Sequence, residues 1–164
     1  DIYISEDKVP NQEEVERRLT NYYWPYYQKV QTLLDERKAE FGKALLWDAH
    51  SIRHLVPTIR KEVFPDMILG DNDGKTSHQN LIETTLAGLK SGEYGINHNT
   101  PFKGGHITRY FGKPENNQHA LQLEMNKILY MNDEELAFDE SRATKMREVL
   151  IRTFNNIITE LDRI

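Results

Sequence analysis

A short apolar run, Ala44-Leu45-Leu46-Trp47, follows Gly42 and breaks at once into Asp48, His50 and Ser51. Four apolar residues after a turn signal suit a buried strand and are too few for a helix core. The polar residues then lie at the strand's carboxyl end, where open α/β proteins collect their chemistry. A histidine held there by rigid backbone suits a metal ligand or a proton carrier. It suits equally a residue that caps the next helix through hydrogen bonds alone, and the local sequence does not separate the two.

From Asn11 to Phe41 the positions Val15, Leu19, Tyr22, Tyr23, Tyr26, Val30, Leu33, Leu34 and Phe41 recur mostly at three- and four-residue steps, the period of an amphipathic helix. Pro25 interrupts the pattern. An interior proline removes a hydrogen bond and crowds the preceding turn at a cost of about 3 kcal/mol, which predicts a kink or two helices meeting near Trp24. A loop through Pro57 and Pro65 leads to a strand at Met67–Leu69 and a helix from about Ser77 to Lys90, closed by Gly92. Beyond it come short segments at Tyr94–Asn97, at His106–Phe111 after Gly104-Gly105, and at Ala120–Met125, read as strands joined by site-forming loops. A last helix from about Glu140 to Leu161 carries Met146, Val149, Leu150, Phe154, Ile157, Ile158 and Leu161 on one stripe, which assigns it to packing. With no internal repeat and no linker, residues 1–164 read as a single α/β domain.

The net charge of -5 comes from well-mixed Lys, Arg, Asp and Glu, with no basic block to grip a phosphate backbone, so nucleic acid is not expected as a partner. The absence of cysteine excludes a disulfide framework, a thiolate zinc cage and a cysteine nucleophile. Any metal has to be held by His, Asp or Glu. No apolar run approaches membrane-spanning length and the start resembles neither a signal nor a transit peptide, so the expectation is a soluble, cytoplasmic protein without a membrane partner.

Along Gln122-Leu123-Glu124-Met125, strand alternation puts Leu123 on one face and Gln122 and Glu124 on the other. With Leu123 in the core, Glu124 faces a second layer or a cleft, where a glutamate beside a metal takes a proton from water and returns it to a leaving amine. The alternative is a surface carboxylate in a salt bridge, the commoner state of Glu. In the stretch from Lys103 to Gly112 the paired glycines admit close backbone approach, and Arg109 offers a planar fork that matches a carboxylate. The alternative there is a glycine turn with a solvated arginine. Asp71-Asn72-Asp73-Gly74 begins like a calcium loop but lacks the acidic residue that would complete one, and reads as a turn. His50 and His54 stand one helical turn apart without the intervening glutamate of a zincin, which leaves His54 as a supporting or surface residue. His78, His98 and His119 have no spacing that commends them, and Ser51 lacks the glycines of a nucleophile elbow, so an esterase reading is weak.

Together YYWPYY (22–27), LLWDAHSI (45–52), FPDMILGDNDG (64–74), NTPFKGGHITRYFGKP (99–114) and HALQLEMNKILYM (119–131) resemble the N-formylglutamate amidohydrolase (deformylase) family. The resemblance implies a mixed sheet flanked by helices, similar to the zinc carboxypeptidase and phosphorylase/hydrolase-like fold. It implies a zinc-dependent hydrolase that cleaves the formyl amide of N-formyl-L-glutamate to formate and glutamate in histidine breakdown. By that analogy His50 is a zinc ligand and Glu124 the general base that activates water at the metal. Arg109 holds a substrate carboxylate, with Lys103 and Thr108 as weaker candidates, and Asp48 orients its neighbours through a hydrogen bond. In the family the remaining zinc ligands, a His and an acidic residue, precede the part matched here. The expectation is therefore the C-terminal portion of a longer family domain, which alone holds zinc poorly and self-associates through an exposed apolar seam. Tyr27 stands where the family is expected to favour His, and His106 where an aromatic hydroxyl is expected, which leaves another N-acyl amino acid open as the substrate. The competing reading is a non-catalytic binding module that keeps the fold.

Overall fold

The computed structural model describes residues 3–164. The Asn11 side chain accepts a hydrogen bond from the Glu14 amide (2.9 Å) and starts α1, Gln12–Arg18, whose first turn carries Glu13 and Glu14 against the helix dipole. Before Pro25 the backbone widens into a π-helical turn over Leu19–Tyr23. Then α2, Trp24–Phe41, restarts with Pro25 in its first turn, where a missing N–H leaves no bond unmade. The expected kink or meeting of two helices near Trp24 thus takes the form of a π-helical turn just before Pro25, with the backbone helical throughout. Gly42, at φ 77°, ends α2 in the left-handed conformation that glycine adopts without strain.

The remaining elements are β1 (Ala44–Ile52), β2 (Met67–Gly70), α3 (Gln79–Leu89), β3 (Ile96–His98), α4 (His106–Phe111), β4 (Gln118–Asn126) and α5 (Glu140–Leu161). They form a mixed sheet in the order β1-β4-β2-β3, flanked by helices. The pairs β1/β4 and β2/β3 are parallel, and β4 runs antiparallel to β2. Two expectations are corrected. First, β1 continues through Ile52, so Asp48 and His50 lie within the strand and not beyond its end. Second, His106–Phe111 is a helix, not a strand. Ile107 and Phe111 stand four apart, and both join the apolar cluster of Tyr27, Leu34, Ala44 and Leu46. An apolar run this short fits either period, and packing against α2 decides it.

Strand alternation divides the sheet. On one face Met67, Leu69, Leu121 and Leu123 are fully buried with Ile82 and Leu89 of α3 and Met146 of α5, and Leu45 and Trp47 pack against them. On the other, Ala44 and Leu46 meet α2 and α4. β1 lies at one edge of the sheet, and beside it a groove of about 560 Å³ is lined by Phe41, Leu45, Trp47, Phe154, Ile158 and Leu161, with Arg37, Lys43 and Asp162. Among the described residues no helix is long and apolar enough to cross a membrane.

Candidate active site

The register of β1 on β4 sets His50 opposite Glu124 and Asp48 opposite Gln122. Residues opposed across a ladder share a face, so these four side chains form one polar block. It lies on the face that carries Ala44 and Leu46, further along the strands.

Asp48 is the hub of the block. Its Oδ1 lies 2.9 Å from His50 Nε2, and its Oδ2 accepts from the Thr108 hydroxyl at 3.0 Å. The first turns of α4 therefore brace the carboxylate from below. A carboxylate only accepts, so Nε2 of His50 carries a proton in this bond and Nδ1 is the ring nitrogen that Asp48 leaves free. The Asp48 side chain is 10% exposed and that of His50 46%, which puts the imidazole at the mouth of the block.

Glu124 is buried, and its Oε1 has no hydrogen-bond partner among the described residues. Burial pushes its carboxyl above the ordinary 4.5; His50 pulls the other way and the charge of Asp48 adds to the rise. A carboxyl raised in this way and left with a free oxygen is equipped to take up a proton nearer neutral pH.

The third wall is the turn from Lys103 to Gly105. An added Cβ at Gly70 would lie 2.5 Å from the Gly104 nitrogen, so only glycine lets this turn rest directly on β2. The Asn72 amide donates to Lys103 O (2.6 Å), and the Gly105 amide donates to Gln122 Oε1 (2.6 Å). Arg109 donates from Nη1 to Gly104 O and otherwise stays exposed. Lys103 reaches away to Asp73 at 2.7 Å.

The fold thus brings Asp48, His50, Glu124 and Thr108 together and stands Arg109 at the adjoining turn, while Lys103 is drawn to a neighbouring loop. Thr108 is fully buried, and its hydroxyl is engaged by Asp48. His54 lies outside the block, its Nδ1 2.8 Å from Asn126 Nδ2. Asp71–Gly74 is a turn: Asp71 Oδ1 accepts from the Gly74 amide and from Asn99 Nδ2, each at 2.8 Å, while Oδ2 bonds His98 Nε2. His98 and Asn99 carry no sequence signal for this role, because they stand 27 and 28 residues from Asp71 with α3 between. Gln122 was legible as a companion of Glu124 on one strand face, but its anchor on Gly105 was not. Among the described residues no three His, Cys, Asp or Glu side chains converge as a metal-binding group.

The family model for N-formylglutamate amidohydrolase matches residues 1–131. The chain belongs to that family. It is 42% identical over 153 residues to the N-formylglutamate deformylase of Pseudomonas aeruginosa, covering 88% of this chain and 57% of the relative. Against the N-formylglutamate deformylase of Pseudomonas putida it is 40% identical over 134 residues, covering 80% and 50%. The chain therefore spans about half the length of the curated relatives it matches. The crystal structure of N-formylglutamate amidohydrolase from Ralstonia eutropha superposes with a TM-score of 0.75 at 26% identity, over 90% of this chain and 54% of that one. A gene product from Agrobacterium tumefaciens shares the fold, with a TM-score of 0.66 at 20% identity over 92% and 57%. Among N-formylglutamate amidohydrolases, then, this chain carries a polar block built on two adjacent strands.

Proposed function

We propose that this chain carries the hydrolytic centre of an N-formylglutamate deformylase, in a fold similar to the zinc carboxypeptidases, which cleaves N-formyl-L-glutamate to formate and glutamate. The observation that carries this reading is the pairing of His50 with Glu124 across β1 and β4, with Asp48 bonded behind the imidazole and Glu124 Oε1 unpaired. The names of the relatives supply the substrate.

Zinc fits these residues in part. A carboxylate on one ring nitrogen, with the other nitrogen left free, is the arrangement that orients metal-bound histidines, and His50 has it. A catalytic zinc takes three protein ligands, and among the described residues no such trio converges, so His50 is assigned as one ligand. When bound, zinc supplies Lewis-acid polarisation of the formyl oxygen and lowers the pKa of a water ligand to about 7.

The chain's own residues do the rest. Glu124 takes the proton of the attacking water and returns it to the amide nitrogen, which leaves as the amine of glutamate while the formyl carbon leaves as formate. A pKa raised by burial strengthens the carboxylate as a base for the first transfer. Asp48 holds the tautomer of His50, and Thr108 holds Asp48. Arg109 receives a carboxylate of the substrate on the N–H groups not spent on Gly104 O. Lys103 can assist only by leaving Asp73, and Thr108 acts through Asp48.

The test is Glu124→Gln in the protein expressed at full gene length. Formate release is expected to fall about 10²- to 10⁴-fold with the zinc content unchanged. Undiminished turnover in that variant removes Glu124 as the base, and a wild type that releases no formate at all favours the binding-module reading.

A further inference from the structure

One member of the polar block, Gln122, has so far only an anchoring bond. Its Oε1 accepts from the Gly105 amide at 2.6 Å, and only the oxygen of a side-chain amide can accept there. That bond fixes which end of the amide is which. It leaves Nε2, with two N–H donors, as the free end. The residue is 5% exposed, stands two residues before Glu124 on the same strand face, and is opposed to Asp48 across the ladder. Both oxygens of Asp48 already accept, one from His50 and one from Thr108. Among the described residues Nε2 makes no hydrogen bond.

Next to it Glu124 Oε1 is an acceptor without a donor. A donor and a buried acceptor, both without a protein partner, stand on one strand face at residues whose backbones are about 7 Å apart, and a ligand that matches both gains the bonds they lack. The ligand that does so has an acceptor beside a group that gives up a proton. An N-acyl amide approached by water has both: its carbonyl oxygen meets the donor, and the water meets the carboxylate.

We propose that Gln122 Nε2 donates a hydrogen bond to the acyl carbonyl oxygen of the substrate amide, placing that carbonyl and stabilising the charge that grows on its oxygen as water adds. This rests on the amidohydrolase reading above. The Gly105 bond is then what aims the donor, by holding the other end of the same planar group. The residue selects for an oxygen acceptor at the acyl carbon, which both formyl and longer acyl groups provide.

The experiment pairs N-formyl-L-glutamate with its thioformyl analogue, whose sulfur is a weak acceptor, and uses the protein at full gene length. Gln122→Met removes the donor and the anchor. Gln122→Glu keeps an oxygen for the Gly105 amide and removes the N–H donors, so it separates aiming from anchoring and serves as the readout should the methionine variant fail to fold. The expected result is a loss of about 100-fold in kcat on the formyl substrate in both variants. With it, the wild-type preference for formyl over thioformyl, read as a ratio of kcat/KM, falls at least about tenfold. An active wild type whose preference survives in Gln122→Glu overturns the donor role and leaves Gln122 as an anchor for Gly105. A wild type that hydrolyses neither compound overturns the deformylase reading, and the Gln122 assignment with it.

Discussion

On one face of β1 and β4, Trp47, Leu121 and Leu123 meet Met67 and Leu69 beneath α3 and α5; on the other, one residue further along each strand, stand Asp48, Gln122 and Glu124. The same two strands, in the same register, build both. The first face gains from every atom it removes from water. The second holds carboxylates and an amide against the cost of burying them, and meets that cost with Thr108, His50 and the Gly105 amide, except at Glu124 Oε1. Stability and chemistry are thereby assigned to alternate residues of one segment.

Neighbouring substitutions break that comparison most sharply. Leu123→Ala, at a position 1% exposed, is expected to lower stability by about 2–5 kcal/mol in denaturant unfolding, through lost burial and the cavity left behind. Glu124→Gln, one residue on, is expected to leave stability at or above that of the wild type, because it removes a buried, incompletely bonded charge. Equal destabilisation by the two would show that the faces are not separated in this way.

A smaller effect is expected from Thr108→Val, which keeps the volume of the side chain and deletes the hydroxyl that bonds Asp48 Oδ2. It should cost about 1–3 kcal/mol, measured by chemical denaturation, since the carboxylate is left short of one partner. A cost near zero would mean that Asp48 finds another donor or that the bond is not made in solution.

The smallest expected effect separates the faces by pH. His119 is 2% exposed, and burial, with the charges of His78 and Lys43, pushes its pKa from 6.5 down to about 4. As pH falls from 6.5 towards 4 the unfolded chain takes up a proton that the folded one refuses, so stability falls on acidification. Glu124 acts in the opposite sense. Below 4.5 it is protonated in both states; as pH rises through 4.5 towards its raised folded value the unfolded chain ionises first, and stability falls on going up. Thermal melts from pH 4 to 7 should therefore show His119→Gln flattening the acid side, and the gap between Glu124→Gln and wild type widening by a few degrees towards pH 7. A gap that narrows instead would place the Glu124 carboxylate in a better-solvated setting.

Much of the fold is legible in the residue pattern. The stripe from Met146 to Leu161 marks α5, and the structure runs it over Glu140–Leu161 as read. The proline marks the break at Trp24, although the π-helical turn that absorbs it leaves no separate mark. His106–Phe111 was misread because a six-residue run is short enough to satisfy either period; only the cluster around Tyr27 shows which of its sides is buried. At the site, Asp48, His50 and Glu124 stand out by residue type and motif, and Gln122 by its step of two from Glu124. Their convergence does not, since it depends on β4 lying between β1 and β2.

What the sequence by itself determined is periodicity: which residues alternate along a strand, which recur along a helix, and where proline and glycine interrupt them. Those are local properties of the backbone and survive in any compact fold. Only the tertiary structure decided that residues 74 apart in the chain, His50 and Glu124, face each other, and that the Gly105 amide takes one end of Gln122 and leaves the other free. Register and long loop closure set these distances, and neither is encoded by a single segment, because each depends on the free energy of packing the whole sheet against its helices.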